Sequence, residues 1–193
     1  MKKQTSDTEK KLAILDATMR LIRANGFHNA PMSLVAKEAN VATGTIYHHF
    51  ESKASIIAAL YAQQKELMGR ALLRGDKPDE QYRERFFRFW NNLFRHFAAN
   101  PDGFLFLEQY SNSPYINNSL REDNEHFYLP VIDFIKSGIS RGILRNMNPE
   151  LMVSIIYGNI VSCVKLHLSG QLKMTQHHIK QAIQTTWDGV KID

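Results

Sequence analysis

The sequence predicts an all-α protein: an N-terminal three-helix helix-turn-helix head followed by a larger C-terminal helical domain. Three observations lead there. Apolar residues recur at helical spacing along nearly all of the 193 residues, and the alternation that a half-buried strand needs is absent. The stretches are separated by residues that end helices or start turns for backbone reasons: Asn25-Gly26, Asn100-Pro101, Ser111-Asn112-Ser113-Pro114, Met147-Asn148-Pro149 and Ser169-Gly170. Near the N-terminus two short stretches lie between two long ones, which is the length pattern of a small helical head.

Taken in order, the first helix begins at Ser6-Asp7-Thr8-Glu9, a capping-box pattern, runs through Ile14, Ala17, Leu21 and Ile22, and stops at Asn25-Gly26. Two short helices are expected over residues 32–39 and 43–49, then a long one over 53–73. Beyond Gly75-Asp76-Lys77-Pro78, helices are expected over 79–99, 101–110, 119–143, 149–168 and 175–188, with no internal repeat.

Composition narrows the class. A hydrophobic share of 44% against 22% charged residues, with only six prolines and ten glycines, excludes disorder and low complexity. The single cysteine, Cys163, excludes an internal disulfide and any zinc site built on several thiolates, and suits a reducing, cytoplasmic setting. Residues 1–11 carry Lys2, Lys3, Lys10 and Lys11 without an apolar run, so no secretory signal is expected. Residues 151–168 approach membrane-span length, but Ser154, Asn159, Ser162, Lys165 and His167 interrupt them; the reading is a buried or interface helix, with no membrane partner. Residues 1–53 hold eight Lys and Arg against five Asp and Glu, and residues 54–193 sixteen against fourteen, so the head is the more basic part for its length. The expected domains are residues 1–53 and 54–193.

Within the head, residues 33–50 read as two short helices joined by a tight turn. Val35, Ala36 and Ala39 give the first helix a small apolar face that a second helix can cross closely; Val41 plugs the turn, and Ile46 and Phe50 anchor the second helix from below. That leaves Thr43, Gly44, Thr45, Tyr47, His48 and His49 on the outer side. Their hydroxyl and imidazole groups suit phosphate oxygens and base edges, and the glycine permits close backbone approach. Lys53 follows where its ammonium can meet a phosphate.

The residues Ile14-Leu15-Asp16-Ala17, Asn25-Gly26-Phe27, Val35-Ala36-Lys37-Glu38-Ala39 and Gly44-Thr45-Ile46-Tyr47-His48-His49-Phe50-Glu51-Ser52-Lys53 carry a resemblance. Over about residues 11–60 the chain resembles the TetR family of bacterial transcriptional regulators. The resemblance implies a homodimer whose heads read a palindromic operator, and a C-terminal domain that holds an effector site and the dimer contact. It places a base contact on Thr43, backbone contacts on Thr45, Tyr47, His49 and Lys53, and a variable contact on His48; Lys37 and Gly44 complete the expected DNA-facing set. Ala30-Pro31 replaces the family's Thr/Ser run, with Pro31 expected in the first turn of the short helix, and Asn40 replaces the turn glycine. Ala42 stands where a Ser or Thr usually caps the recognition helix, leaving Thr43 either to cap it or to read a base.

The remaining signals lie mostly in the C-terminal part. His48-His49 and His177-His178 are adjacent on helices and lack the spacing of metal ligands, so no metal site is expected. Gly138-Ile139-Ser140-Arg141-Gly142 matches the nucleophile-elbow pattern, but no strand precedes it, so a helix end is expected and a serine hydrolase using Ser140 is the minor alternative. Neither catalytic residues nor a cofactor is expected. Aromatic residues are dense from 86 to 134, with sparse polar groups between them. A largely apolar effector site is expected from Phe86, Phe89, Trp90, Phe94, Phe104, Glu108, Tyr110, Phe127 and Asn159. Apolar stripes on the last two helices suggest a four-helix dimer contact through Ile155, Gly158, Ser162, Ile179, Ile183 and Trp187. The expected partners are an operator duplex, a small-molecule effector and a second copy of the chain. Sequence-independent DNA binding is the other alternative.

Overall fold

In the computed structural model, which describes residues 2–26 and 30–192, these stretches become ten α-helices and one 3-10 turn, with no strand among the described residues. They are α1 (Lys2–Asn25), α2 (Met32–Glu38), α3 (Thr43–His49), α4 (Lys53–Leu72), α5 (Tyr82–Ala99), α6 (Pro101–Tyr110), α7 (Asn118–Asp123), the 3-10 turn Glu125–Phe127, α8 (Leu129–Ser140), α9 (Pro149–Leu168) and α10 (Gln176–Val190). Two compact units form: Met1–Gln64 with Asp102–Arg121, and Lys65–Pro101 with Glu122–Asp193.

Two expectations about the elements need correction. First, α1 begins at Lys2, so Ser6-Asp7-Thr8-Glu9 lies inside the helix rather than at its start; the Ser6 side chain, like Phe27 of the Asn25-Gly26-Phe27 motif, is outside the described residues. Second, the helix expected over 119–143 is three pieces. Pro130, at the start of α8, has no N–H to donate, and its ring would clash with the carbonyl one turn back. The backbone accordingly breaks at Tyr128, just before α8; a second break lies at Asn124, and both residues have ψ near 0°.

The first unit is built on side chains that bury one face of each helix. Ile14, Leu15, Ala17, Leu21 and Ile22 of α1, Val35 and Ala36 of α2, Ile46 of α3, Phe50, and Ile56, Ile57 and Leu60 of α4 are all buried, none more than 8% exposed, and α1, α2 and α3 pack on one another. Each large aliphatic or aromatic member contributes about 1.5–3 kcal/mol as an upper figure. The α2–α3 turn is a Schellman closure: Asn40 N–H donates to Lys37 O and Val41 N–H to Ala36 O, with Asn40 at φ 53°. Asn40 thus takes the left-handed conformation expected of it. Pro31 stands at the N-cap of α2, one place before the expected first-turn position, and its carbonyl accepts from Leu34 and Val35. Ser52 and Ser55 cap α4 reciprocally, at 3.1 and 3.2 Å. In this unit α6 passes so close to α4 that a Cβ on Gly103 would lie 2.2 Å from Gln64 Oε1. Arg23 of α1 pairs with Asp102 of α6 at 2.9 Å.

In the second unit α5 is the central helix and packs against α9 and α10. Its buried stripe is Phe86, Phe89, Trp90, Leu93, Phe94 and Phe97. The loop before it is clamped by a bidentate Arg85–Asp76 pair at 2.8 and 2.9 Å, and Asn92 donates to Leu72 O and Arg74 O, satisfying carbonyls at the end of α4. The 3-10 turn presses on α4 at Gly69, where a Cβ would meet Phe127 O at 2.3 Å. The C-terminus closes the unit: Arg145 N–H donates to Val190 O and Ile192 N–H to Ile143 O.

Candidate nucleic-acid interface

Helix α3 is only seven residues long and is held by one fully buried side chain, Ile46, with Phe50 following. That anchoring fixes which residues face out. Thr43, Gly44, Tyr47 and His48 are exposed, Tyr47 at 55%, and Thr45 is half-buried. The N-cap is Ala42 and, as its side chain requires, no side chain caps the helix. Thr43 is therefore the first helical residue rather than the cap, and among the described residues no hydrogen bond of its hydroxyl is found. Outside its own helix turn, nothing among the described residues lies within 4 Å of where a Cβ on Gly44 would sit, so internal packing does not require this glycine. Lys37 is exposed on α2. Lys53, at the start of α4, is half-buried, and desolvation lowers its ammonium below the ordinary value.

His49 departs from its expected outward position. Its side chain is only 7% exposed, and Nε2 lies 3.4 Å from Oδ1 of Asp7 in α1. The reason is geometric: the last residue of a seven-residue helix that crosses α1 points back at α1 rather than into solvent. Asp7 lies 42 positions away in sequence, so no local pattern foretells this contact.

The residues expected at the effector site divide between the two units. Phe104 and Tyr110 of α6 are buried in the first, and Glu108 is half-buried beside them on the same helix. Phe86, Phe89, Trp90 and Phe94 lie in the core of the second, with Phe127 and Asn159 half-buried. The α5 rings pack on one another and on their neighbours: Phe86 on Trp187 at 5.2 Å, Phe89 edge-on to Phe134 at 5.0 Å, and Trp90 stacked with Phe94 at 5.8 Å. Trp90 is 1% exposed, and its Nε1–H has no acceptor among the described residues. Asn159 Oδ1 lies 2.8 Å from the Thr186 hydroxyl. Tyr82, absent from the expected set, stacks on Phe134 at 4.0 Å, donates to Phe134 O at 2.9 Å, and has its phenol pushed well above the ordinary range by burial.

The expected dimer residues also separate. Ile155, Gly158 and Ser162 form an exposed face of α9, but Ile179, Ile183 and Trp187 of α10 are 5–7% exposed, buried within their own unit. Within one protomer the apolar stripe of α10 packs on the chain itself, as the Trp187–Phe86 contact shows. By length and composition α9 could cross a membrane, yet it packs against α5, α8 and α10 through Met152, Ile160, Val161 and Val164. Its remaining surface carries exposed Leu151, Ile155 and Leu166.

Ser140 is the last residue of α8, and its hydroxyl donates to Ser137 O at 3.0 Å. Gly142, at φ 66°, and Ile143 close that helix onto Ile139 and Gly138, while Gly138 gives Tyr82 room: a Cβ there would lie 2.1 Å from the Tyr82 hydroxyl. Both glycines of the elbow-like pattern therefore have structural uses, and the pattern is the helix end expected of it.

Two short helices crossing at a Schellman turn, the second anchored by one side chain and presenting hydroxyls, a phenol and an imidazole, define a helix-turn-helix head, the element that DNA-binding proteins lay in a groove. Residues 14–60 match the family model of bacterial regulatory proteins of the tetR family, and residues 65–192 that of the tetracyclin repressor-like C-terminal domain. The chain belongs to the TetR family of regulators. Among curated relatives it is 39% identical over 77 residues to the HTH-type transcriptional regulator UidR of Escherichia coli K12, covering 40% of this chain and 38% of that one. It is 38% identical over 58 residues to the HTH-type transcriptional repressor KstR of Rhodococcus jostii, covering 30% and 27%. The matches thus span well under half the length of these relatives. Among solved structures, a tetR family regulator from Shewanella sp. PV-4 superposes with a TM-score of 0.86 at 26% identity, over 95% of this chain and 99% of the other. One from Marinobacter aquaeolei VT8 gives 0.91 at 24%, over 98% and 100%.

Proposed function

We propose that the protein is a ligand-responsive transcriptional repressor of the cytoplasm that binds a palindromic operator as a homodimer and is released by a small, largely apolar effector, without catalytic activity of its own. In this reading residues 1–53 read DNA and residues 54–193 sense the effector and dimerise. The observation that carries the reading is α3: Ile46 is fully buried while Thr43, Gly44, Tyr47 and His48 stand exposed on one short helix. Thr43, its hydroxyl unspent, reads a base; Gly44 admits the DNA backbone; Tyr47, Thr45, Lys53 and Lys37 hold phosphates. His49 supports α3 through Asp7 more than it touches DNA.

The dimer reading is carried by α9, with α10 packed beside it. The exposed Leu151, Ile155, Gly158, Ser162 and Leu166 of α9 form a face that a second copy would cover. Two recognition helices must then sit about one DNA turn apart. A ligand that favours a differently spaced dimer lowers operator affinity through a coupling of about 1–3 kcal/mol. The aromatic stripe of α5, with the unsatisfied Trp90 donor, supports an apolar ligand carrying a hydrogen-bond acceptor.

The test is a pair of variants, Tyr47→Phe and Lys53→Ala, measured against an inverted-repeat duplex and a scrambled one. Both should weaken binding with little sequence bias; unchanged affinity in both removes these residues from the interface. Equal wild-type affinity for the two duplexes would favour sequence-independent DNA binding instead.

A further inference from the structure

The first turns of α1 lie against the end of the recognition helix. Asp7 reaches His49, the last residue of α3, and one turn further along α1 the Lys11 ammonium stands 5.8 Å from the centroid of the Phe50 ring. The described basic side chains of α1 then fall into two kinds. Arg20 and Arg23 are spent within the unit, on Glu38 and on Asp102. Lys10 and Lys11 are exposed and have no ion-pair partner among the described residues. Of the carboxylates on the same helix, Asp7 lies 3.4 Å from His49 Nε2, and Asp7, Glu9 and Asp16 are all exposed.

We propose that Lys10 and Lys11 extend the DNA interface beyond the helix-turn-helix and pair with duplex phosphates at the rim of the groove that α3 enters. The inference rests on the DNA-binding reading and adds a surface to it. A recognition helix fills a major groove about 12 Å wide, bounded on each side by phosphates. An element that touches the last residue of that helix stands at one rim, and the flexible four-carbon stem of a lysine spans the remaining gap. Lys10 has no ion-pair partner among the described residues and Lys11 only its contact with the Phe50 ring, so neither leaves a carboxylate on meeting phosphate, and both gain from the release of condensed counterions. These contacts carry no sequence information; they set how deeply and in what register the head docks.

The experiment compares wild type, the double variant Lys10→Gln/Lys11→Gln, and Lys180→Gln, an exposed position on α10, as full-length chains on an inverted-repeat duplex and its scrambled form over a range of salt. The double variant should show a slope of log affinity against log salt shallower by about 0.9 for each phosphate contact removed. Its affinity should fall by the same factor on both duplexes, so that the specificity ratio stays unchanged, and Lys180→Gln should keep the wild-type slope. A wild-type slope in the double variant, with its helical circular dichroism intact, overturns the proposal and leaves the helix-turn-helix reading standing. An equal change in Lys180→Gln overturns it too, because the effect would then be net charge alone. A wild type that binds no duplex overturns both.

Discussion

Gly158→Ala reads out the face of α9 more sharply than a large substitution would. Gly158 lies mid-helix, and beyond its own helix turn no atom of the described residues is within 4 Å of where a Cβ would sit. Within one protomer the alanine is therefore accommodated, and it stabilises the helix by about 0.8–1 kcal/mol through propensity. If two copies of α9 meet closely there, the added methyl is overpacked in both. Overpacking typically costs about 1–3 kcal/mol at each site. Taking the low end twice gives about 2 kcal/mol, or roughly a thirtyfold weaker dimer. Sedimentation equilibrium at several concentrations gives the dimer dissociation constant, and urea unfolding at a fixed concentration gives overall stability. The account predicts a weaker dimer for Gly158→Ala. A variant that is simply more stable, with dimerisation unchanged, would refute the assignment of this face.

Gly69→Ala should behave differently, because the atom in the way is the Phe127 carbonyl of the main chain, which cannot swing aside; a loss of about 1–3 kcal/mol in urea unfolding is expected, and an unchanged midpoint would contradict the close packing of the 3-10 turn on α4. Gly44→Ala should leave the free protein as stable or up to about 1 kcal/mol more so, while lowering operator affinity; undiminished binding would show that the DNA backbone does not approach this residue. Lys65 tests the electrostatics of the second unit. Burial lowers its ammonium from 10.5 to about 8, with Glu125 opposing the shift, and the group stands 4.2 Å from the centroid of the Tyr128 ring. Between about pH 8 and 10.5 the unfolded chain holds a proton that the folded one has lost, so stability rises with pH across that window. Lys65→Met should raise stability at pH 7 by a few kcal/mol, the gain shrinking toward pH 10; a gain independent of pH would contradict the desolvated lysine.

Much of the head is legible from local signals. Asn40 marks the left-handed turn, and Ile46 and Phe50 mark the buried side of α3, because turn geometry and helical periodicity are short-range properties. The break before α8 was equally local: Pro130 carries the signal, and an apolar periodicity running across it conceals the stop. What periodicity cannot convey is the partner. Ile179, Ile183 and Trp187 form a stripe that must be buried, but whether α5 of the same chain or a second copy covers it depends on tertiary packing. His49 is the same case at the interface, since the element it turns toward, α1 at Asp7, is far away in sequence. Trp90 shows the limit from the other side: its burial follows from its place on α5, whereas its unsatisfied N–H emerges only from the surroundings.

The central claim is that this chain reads a specific inverted repeat, and selection of bound sequences from a random double-stranded pool at near-physiological salt tests it most directly. The account predicts recovery of an inverted repeat with half-sites about one helical turn, or a multiple, apart, bound at least about a thousandfold better than its scrambled form. No enrichment from a folded, dimeric sample would contradict it.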